Sequence, residues 1–102
     1  MENKYLLVTV VERNVFVEMH VSLKVAQDSM LKKAKKEYLD AGNSNEDWDE
    51  IEKCMTAEGM YYEDGFGLDG NSGWSNLDNS KNVDWAIFVQ PDGQTTGAIH
   101  YA

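Results

Sequence analysis

Ten carboxylates crowd residues 37–64 against a single cation: Glu37, Asp40, Glu46, Asp47, Asp49, Glu50, Glu52, Glu58, Glu63 and Asp64 share the segment with Lys53 alone. Glu46 and Asp47 have a structural explanation if they open a helix, because negative charge in a first turn complements the helix dipole. Asp49, Glu50 and Glu52 do not need that position. Residues three and four apart on a helix stand about 5–6 Å from one another, so Glu46, Asp49, Glu50 and Lys53 form a row along one side. Spaced carboxylates of this kind imitate a phosphate backbone and fit a Lys/Arg-lined nucleic-acid channel. The competing reading is a face that does no more than keep the protein hydrated.

Other residues capable of chemistry are scattered. Gly65-Phe66-Gly67-Leu68-Asp69-Gly70 has the letters of a dinucleotide-binding turn, but no helix-like segment follows, and Glu63, Asp64 and Asp69 would repel the phosphates such a turn holds. One turn of a glycine-rich calcium loop is the alternative, with Asp64, Asp69 and Asn71 as oxygen ligands. Such repeats act by stacking, however, and this one occurs once. An EF-hand window starting at Asp40 has Asn45 where glycine belongs and Ile51 where the bidentate glutamate belongs. His20 and His100 lie eighty residues apart, and neither has a second ligand at helical spacing. Cys54 has no histidine near it in sequence and reads as a small buried hydrophobe. No catalytic set, metal site or cofactor site emerges from these spacings.

Charge divides the chain. Residues 1–36 carry seven Lys/Arg against four Asp/Glu, whereas residues 37–102 carry two against fourteen. The second half would repel nucleic acid and anionic membranes and attract basic partners or cations. The apolar run Tyr5–Val11 ends in Glu12-Arg13 and lacks a cleavage site, so it is not a leader, and no stretch reaches the roughly 18–20 apolar residues of a membrane span. A lone cysteine excludes a disulfide framework and fits a reducing cytoplasm. With 102 residues, 42% of them hydrophobic, the chain suits one domain over residues 1–102.

The elements that must position these groups follow from periodicity. Tyr5–Val11 is apolar and β-branched, and Glu12-Arg13-Asn14 separates it from a second run in which Val15, Val17, Met19, Val21 and Leu23 alternate with Phe16, Glu18, His20 and Ser22. That alternation places Val17, Met19 and Val21 on the buried face of a strand and Glu18 and His20 in solvent. From Lys24 to Ala41 the period becomes helical, with Ala26, Met30, Ala34 and Tyr38 on one stripe. Asn43 and Ser44 offer N-caps, with Glu46 at capping-box distance from Asn43, for a second helix over about residues 45–57 whose Trp48, Ile51 and Met55 share a face. Gly59 ends it. Met60-Tyr61-Tyr62 adds a short strand, and residues 63–83 form a long loop pinned by Phe66, Leu68, Trp74 and Leu77. Trp85–Gln90, a turn at Pro91-Asp92-Gly93, and Thr95–Tyr101 close the chain as a hairpin.

The expected fold is therefore α+β, an antiparallel sheet of four to five strands in the order β-β-α-α-(β)-β-β with two helices packed on one face. The expected function is a non-enzymatic acidic protein that docks Glu46, Asp47, Asp49, Glu50, Glu52, Glu63 and Asp64 on a basic protein surface, such as that of a nucleic-acid-binding enzyme. Phages and mobile elements use small acidic proteins in this way against restriction or CRISPR nucleases. The alternative is a small ligand- or calcium-binding domain using the 63–78 loop, with Trp74 as an aromatic wall and Asp64, Asp69 and Asp78 as polar contacts. The basic helix, with Lys32, Lys33, Lys35 and Lys36, leaves the oligomeric state open.

Overall fold

A computed structural model describes residues 4–77, 81–90 and 100–101. The chain opens with a hairpin of β1 (Lys4–Val11) and β2 (Asn14–His20), continues through α1 (Leu23–Asp40) and α2 (Asn45–Glu58), and returns to the sheet as β3 (Tyr61–Glu63), β4 (Phe66–Leu68), β5 (Ser72–Ser75), β6 (Val83–Gln90) and β7 (His100–Tyr101). The strands pair antiparallel in the order β2-β1-β6-β5-β4-β3, and β7 pairs with the end of β6. The α+β class and the two helices agree with the sequence. The sheet is wider than four to five strands because residues 63–77 are not a loop. Phe66–Leu68 and Ser72–Ser75 are short runs between tight turns, and the glycines and aspartates mark those turns. Gly65, at φ +82°, makes the first of them. The turn and return strand expected over 91–99 lie outside the described residues.

Both helices form where their caps place them. The Ser22 hydroxyl accepts the Val25 N–H to start α1, and the Ser44 hydroxyl accepts the Asp47 N–H at 3.1 Å to start α2. Asn43 caps nothing in α2: its amide donates to the Tyr38 carbonyl at 3.0 Å, satisfying an orphan acceptor at the end of α1. Gly59 closes α2 in the left-handed region, its N–H donating to the Met55 carbonyl. Ala26, Met30, Ala34 and Tyr38 are the buried stripe of α1, and Trp48 and Ile51 that of α2. They cover Leu7, Phe66, Leu68, Val83, Trp85 and Ile87 of the sheet. Tyr38, Trp48 and Phe66 meet as an aromatic cluster with centroids 5.1–6.4 Å apart.

The alternation of β2 has the expected period and the opposite phase. Thr9 pairs with Phe16, Leu7 with Glu18 and Tyr5 with His20. Since Leu7 and Thr9 are buried beneath the helices, Phe16, Glu18 and His20 lie on the helix side. Val15, Val17, Met19 and Val21 point the other way and are 59–72% exposed. The expectation that Val17, Met19 and Val21 are core is therefore overturned. The physical reason is that α1 supplies partners for the polar row. Lys33 Nζ reaches Glu18 Oε2 at 2.8 Å, the Ser29 hydroxyl donates to Glu18 Oε1 at 2.9 Å, and His20 Nε2 lies 3.1 Å from the same oxygen. Lys33 foremost holds the Glu18 carboxyl below its ordinary value, against the opposing effect of burial.

Leu7→Ala should cost about 2–5 kcal/mol in urea unfolding, as buried large-to-small changes do. Val17→Thr should stay within about 1 kcal/mol of wild type, because Val17 is mostly in solvent. A Val17→Thr loss equal to that of Leu7→Ala would contradict the register.

Candidate functional site

Of the carboxylates expected to dock, five lie along α2 and two lie at the end of β3. Glu46, Asp47, Asp49, Glu50 and Glu52 are all exposed along α2, while Trp48 and Ile51 pin the opposite side of the helix in the core. Glu63 ends β3, the strand against which α2 packs, and Asp64 begins the turn into β4; both are exposed. Tyrosines report the convergence. Burial first, and then the Glu63 and Asp47 carboxylates, raise the Tyr38 hydroxyl above its usual value. Tyr61, half-buried and beside Glu63, is pushed up to about 12. Asp47 at the start of α2 and Glu63 at the end of β3 thus both act on the Tyr38 hydroxyl.

Few of these groups are neutralised. Lys53 Nζ lies 3.2 Å from Glu50 Oε1, the row foreseen from i,i+3 spacing, and an exposed pair of this kind adds little stability. Among the described residues, no ion pair reaches Glu46, Asp47, Asp49, Glu63 or Asp64. Glu52 is different: its Oε1 accepts the buried Trp48 indole N–H at 2.7 Å, so it secures the helix as well as charging it.

Residues 63–77 form β4 and β5 with tight turns between them. Asp69 Oδ1 accepts the backbone N–H groups of Asn71 and Ser72 at 2.9 and 2.8 Å, and the Ser72 and Tyr62 hydroxyls donate to its Oδ2. Its oxygens are occupied in closing the β4–β5 turn, an Asx turn. Among the described residues no group of three or more His, Cys, Asp or Glu side chains could hold a metal ion. Asp78 lies outside the described residues. Trp74 is 38% exposed, away from the helices, and stacks on Tyr62 with centroids 5.5 Å apart. Its ring lies over Gly67, where any Cβ would collide with the indole. Cys54 is half-buried, with Glu58 Oε2 3.9 Å from its sulfur.

The sheet has a second face, turned away from both helices. Leu6, Val8 and Val10 of β1 stand opposite Met19, Val17 and Val15 on one side and Phe88, Ala86 and Asp84 on the other, forming an apolar surface that neither helix covers. A signal was present: Tyr5–Val11 is apolar at every position except Thr9, as a strand with two apolar faces must be. No helix among the described residues is long and apolar enough to cross a membrane. No protein-family model, curated protein or solved structure shows significant similarity to the chain.

Raising the pH should expose the field around Tyr61. The folded state keeps this phenol protonated to about 12, whereas the unfolded chain ionises near the ordinary 10.0. Its contribution to stability is fully present below pH 10 and is lost as pH rises from there toward 12. Tyr61→Phe should flatten this alkaline decline in urea titrations. An unchanged slope between pH 10 and 12 would place the cause elsewhere.

Proposed function

We propose that this is a non-enzymatic binding protein that docks the carboxylate face of α2, together with Glu63 and Asp64, on a basic protein surface. The surface chemistry suits the phosphate-binding channel of a nucleic-acid-binding enzyme. The supporting observation is that Glu46, Asp47 and Asp49 are exposed, without counter-ions among the described residues, on a helix that Trp48 and Ile51 anchor in the core. Carboxylates fixed on a rigid element lose little entropy on meeting Lys or Arg, and their spacing is set before the partner arrives. Their mode of action is competition: a basic channel occupied by this helix cannot hold a phosphate backbone. An inhibitor of a restriction or CRISPR nuclease, carried by a phage or mobile element, is the form of that activity which the chemistry suits best.

The test is charge reversal with fold retention. Glu46, Asp49 and Glu50 are the residues to change together to Lys, since Glu52 also secures Trp48. Asp49→Lys and Glu50→Lys should each move stability by no more than about 0.5 kcal/mol, and Glu46→Lys by about 1 kcal/mol, because it reverses a first-turn charge that complements the helix dipole. Affinity capture from the native host at low salt should enrich nucleic-acid-binding proteins with wild type and lose them with the triple variant. Raising salt to about 0.5 M should also release them, because screening then acts over only a few ångströms. Equal capture by both proteins would mean that the acidic face is merely hydrated.

A further inference from the structure

The sheet ends at β2, and no described strand occupies its outer edge. The hairpin fixes which backbone groups face outward. Glu12 and Arg13 form a two-residue turn, so Val11 and Asn14 close it as a mutually hydrogen-bonded pair. Bonded and non-bonded pairs alternate from there, which turns the N–H and C=O of Asn14, Phe16 and Glu18 toward β1 and those of Val15, Val17 and Met19 outward. The same three outward residues carry side chains that are 62%, 60% and 59% exposed, and Phe16 on the helix side is 57% exposed. Natural edge strands are ordinarily blunted by lysine, proline or a bulge. Asn14–His20 contains no lysine or proline, and its register with β1 is unbroken. Its one carboxylate is turned under α1 to Lys33.

We propose that β2 pairs antiparallel with β2 of a second copy of this chain, about a two-fold axis through Val17. An isologous contact requires the segment to complement its own reversal. With the axis at Val17, Val15 stands opposite the second copy's Met19 and Val17 opposite its own counterpart. Every outward N–H and C=O of the three residues is then matched. On the helix side Phe16 lies opposite Glu18, whose charge Lys33 already neutralises. An axis at Glu18 would set that carboxylate against itself, and an axis at Phe16 would run Met19 past the strand into the turn at Arg13. The opposite edge, β3, carries Glu63 between Glu58 and Asp64, so self-pairing there would bring like charges together. Pairing through β2 leaves both acidic faces at the far ends of one continuous sheet, free and facing apart. Edge pairing buries less than the roughly 1,600 Å² of a standard interface, so the dimer is expected to be concentration-dependent.

Sedimentation velocity on the full chain tests this from about 10 μM to 1 mM, the range in which weak association is visible. Val17→Pro removes only an N–H that the monomer does not use, a position at which edge strands tolerate proline; Val17→Lys adds the usual edge guard and serves if the proline variant does not fold. Trp74→Ala, on the uncovered sheet face, controls for face-to-face packing. The expected result is a wild-type dimer, a dimeric Trp74→Ala variant, and Val17 variants that stay monomeric while keeping the wild-type near-ultraviolet circular dichroism. A wild-type monomer throughout the range, a dimeric Val17→Pro variant, or a monomeric Trp74→Ala variant would overturn the proposal.

Discussion

The pairing of β1 with β6 is the constraint on which the rest of the structure depends. It joins residues about eighty positions apart in register from Lys4 opposite Gln90 to Val11 opposite Val83. That register sets Leu7 beside Ile87 and Thr9 beside Trp85, producing the buried row on which α1 lays Ala26, Met30 and Ala34. The remaining strands are extensions of this pair: β2 grows from β1 through a two-residue turn, and β5, β4 and β3 grow outward from β6. Loop-closure entropy must be met before such a pair stabilises anything. The local hairpin and the capped helices reduce what remains to be ordered when it forms.

Because both helices lie on one side, the sheet has two unlike faces, and charge is distributed accordingly. Lys33 and Lys36 of α1 sit on the β2 side, where Lys33 neutralises Glu18. The carboxylates of α2 are carried on the helix that packs against β3, where Lys53 meets Glu50 and, among the described residues, no ion pair reaches Glu46, Asp47 or Asp49. The uneven charge along the sequence thus becomes an uneven charge across the molecule. A protein arranged in this way can expose its acidic end to a basic partner while its opposite edge remains available for contact of another kind.

How much of this was legible depended on whether local signals decided the structure. The helices were, because Ala26, Met30, Ala34 and Tyr38 recur at helical spacing and Ser44 and Gly59 are chemically suited to the ends they make. The exposure of Glu46, Asp49 and Glu50 followed from Trp48, Ile51 and Met55 sharing the face that meets the core. The orientation of β2 was not legible. Alternation yields the axis of a strand's two faces but not which of them is inside, and the outcome was decided by Lys33 and Ser29, eleven to fifteen residues away, meeting Glu18. The strands β3 to β5 were hidden by their turns: Gly65, Asp69 and Gly70 dominate the composition, while the pairing energy comes from Phe66 and Leu68 fitting under Tyr38 and Trp48, a tertiary fact. The uncovered apolar face was hidden for the same reason, since an apolar run looks alike whether one face or both will be buried.

The central claim is that the acidic end, and not the apolar sheet face, meets the partner. Amide chemical shifts of isotopically labelled protein, followed as the captured basic partner is added, test it most directly. The account predicts that perturbations concentrate at residues 46–53 and 63–64 and weaken together as salt is raised. Perturbations centred on Val8, Val10, Trp74 and Ala86, with α2 unaffected and binding insensitive to salt, would contradict it.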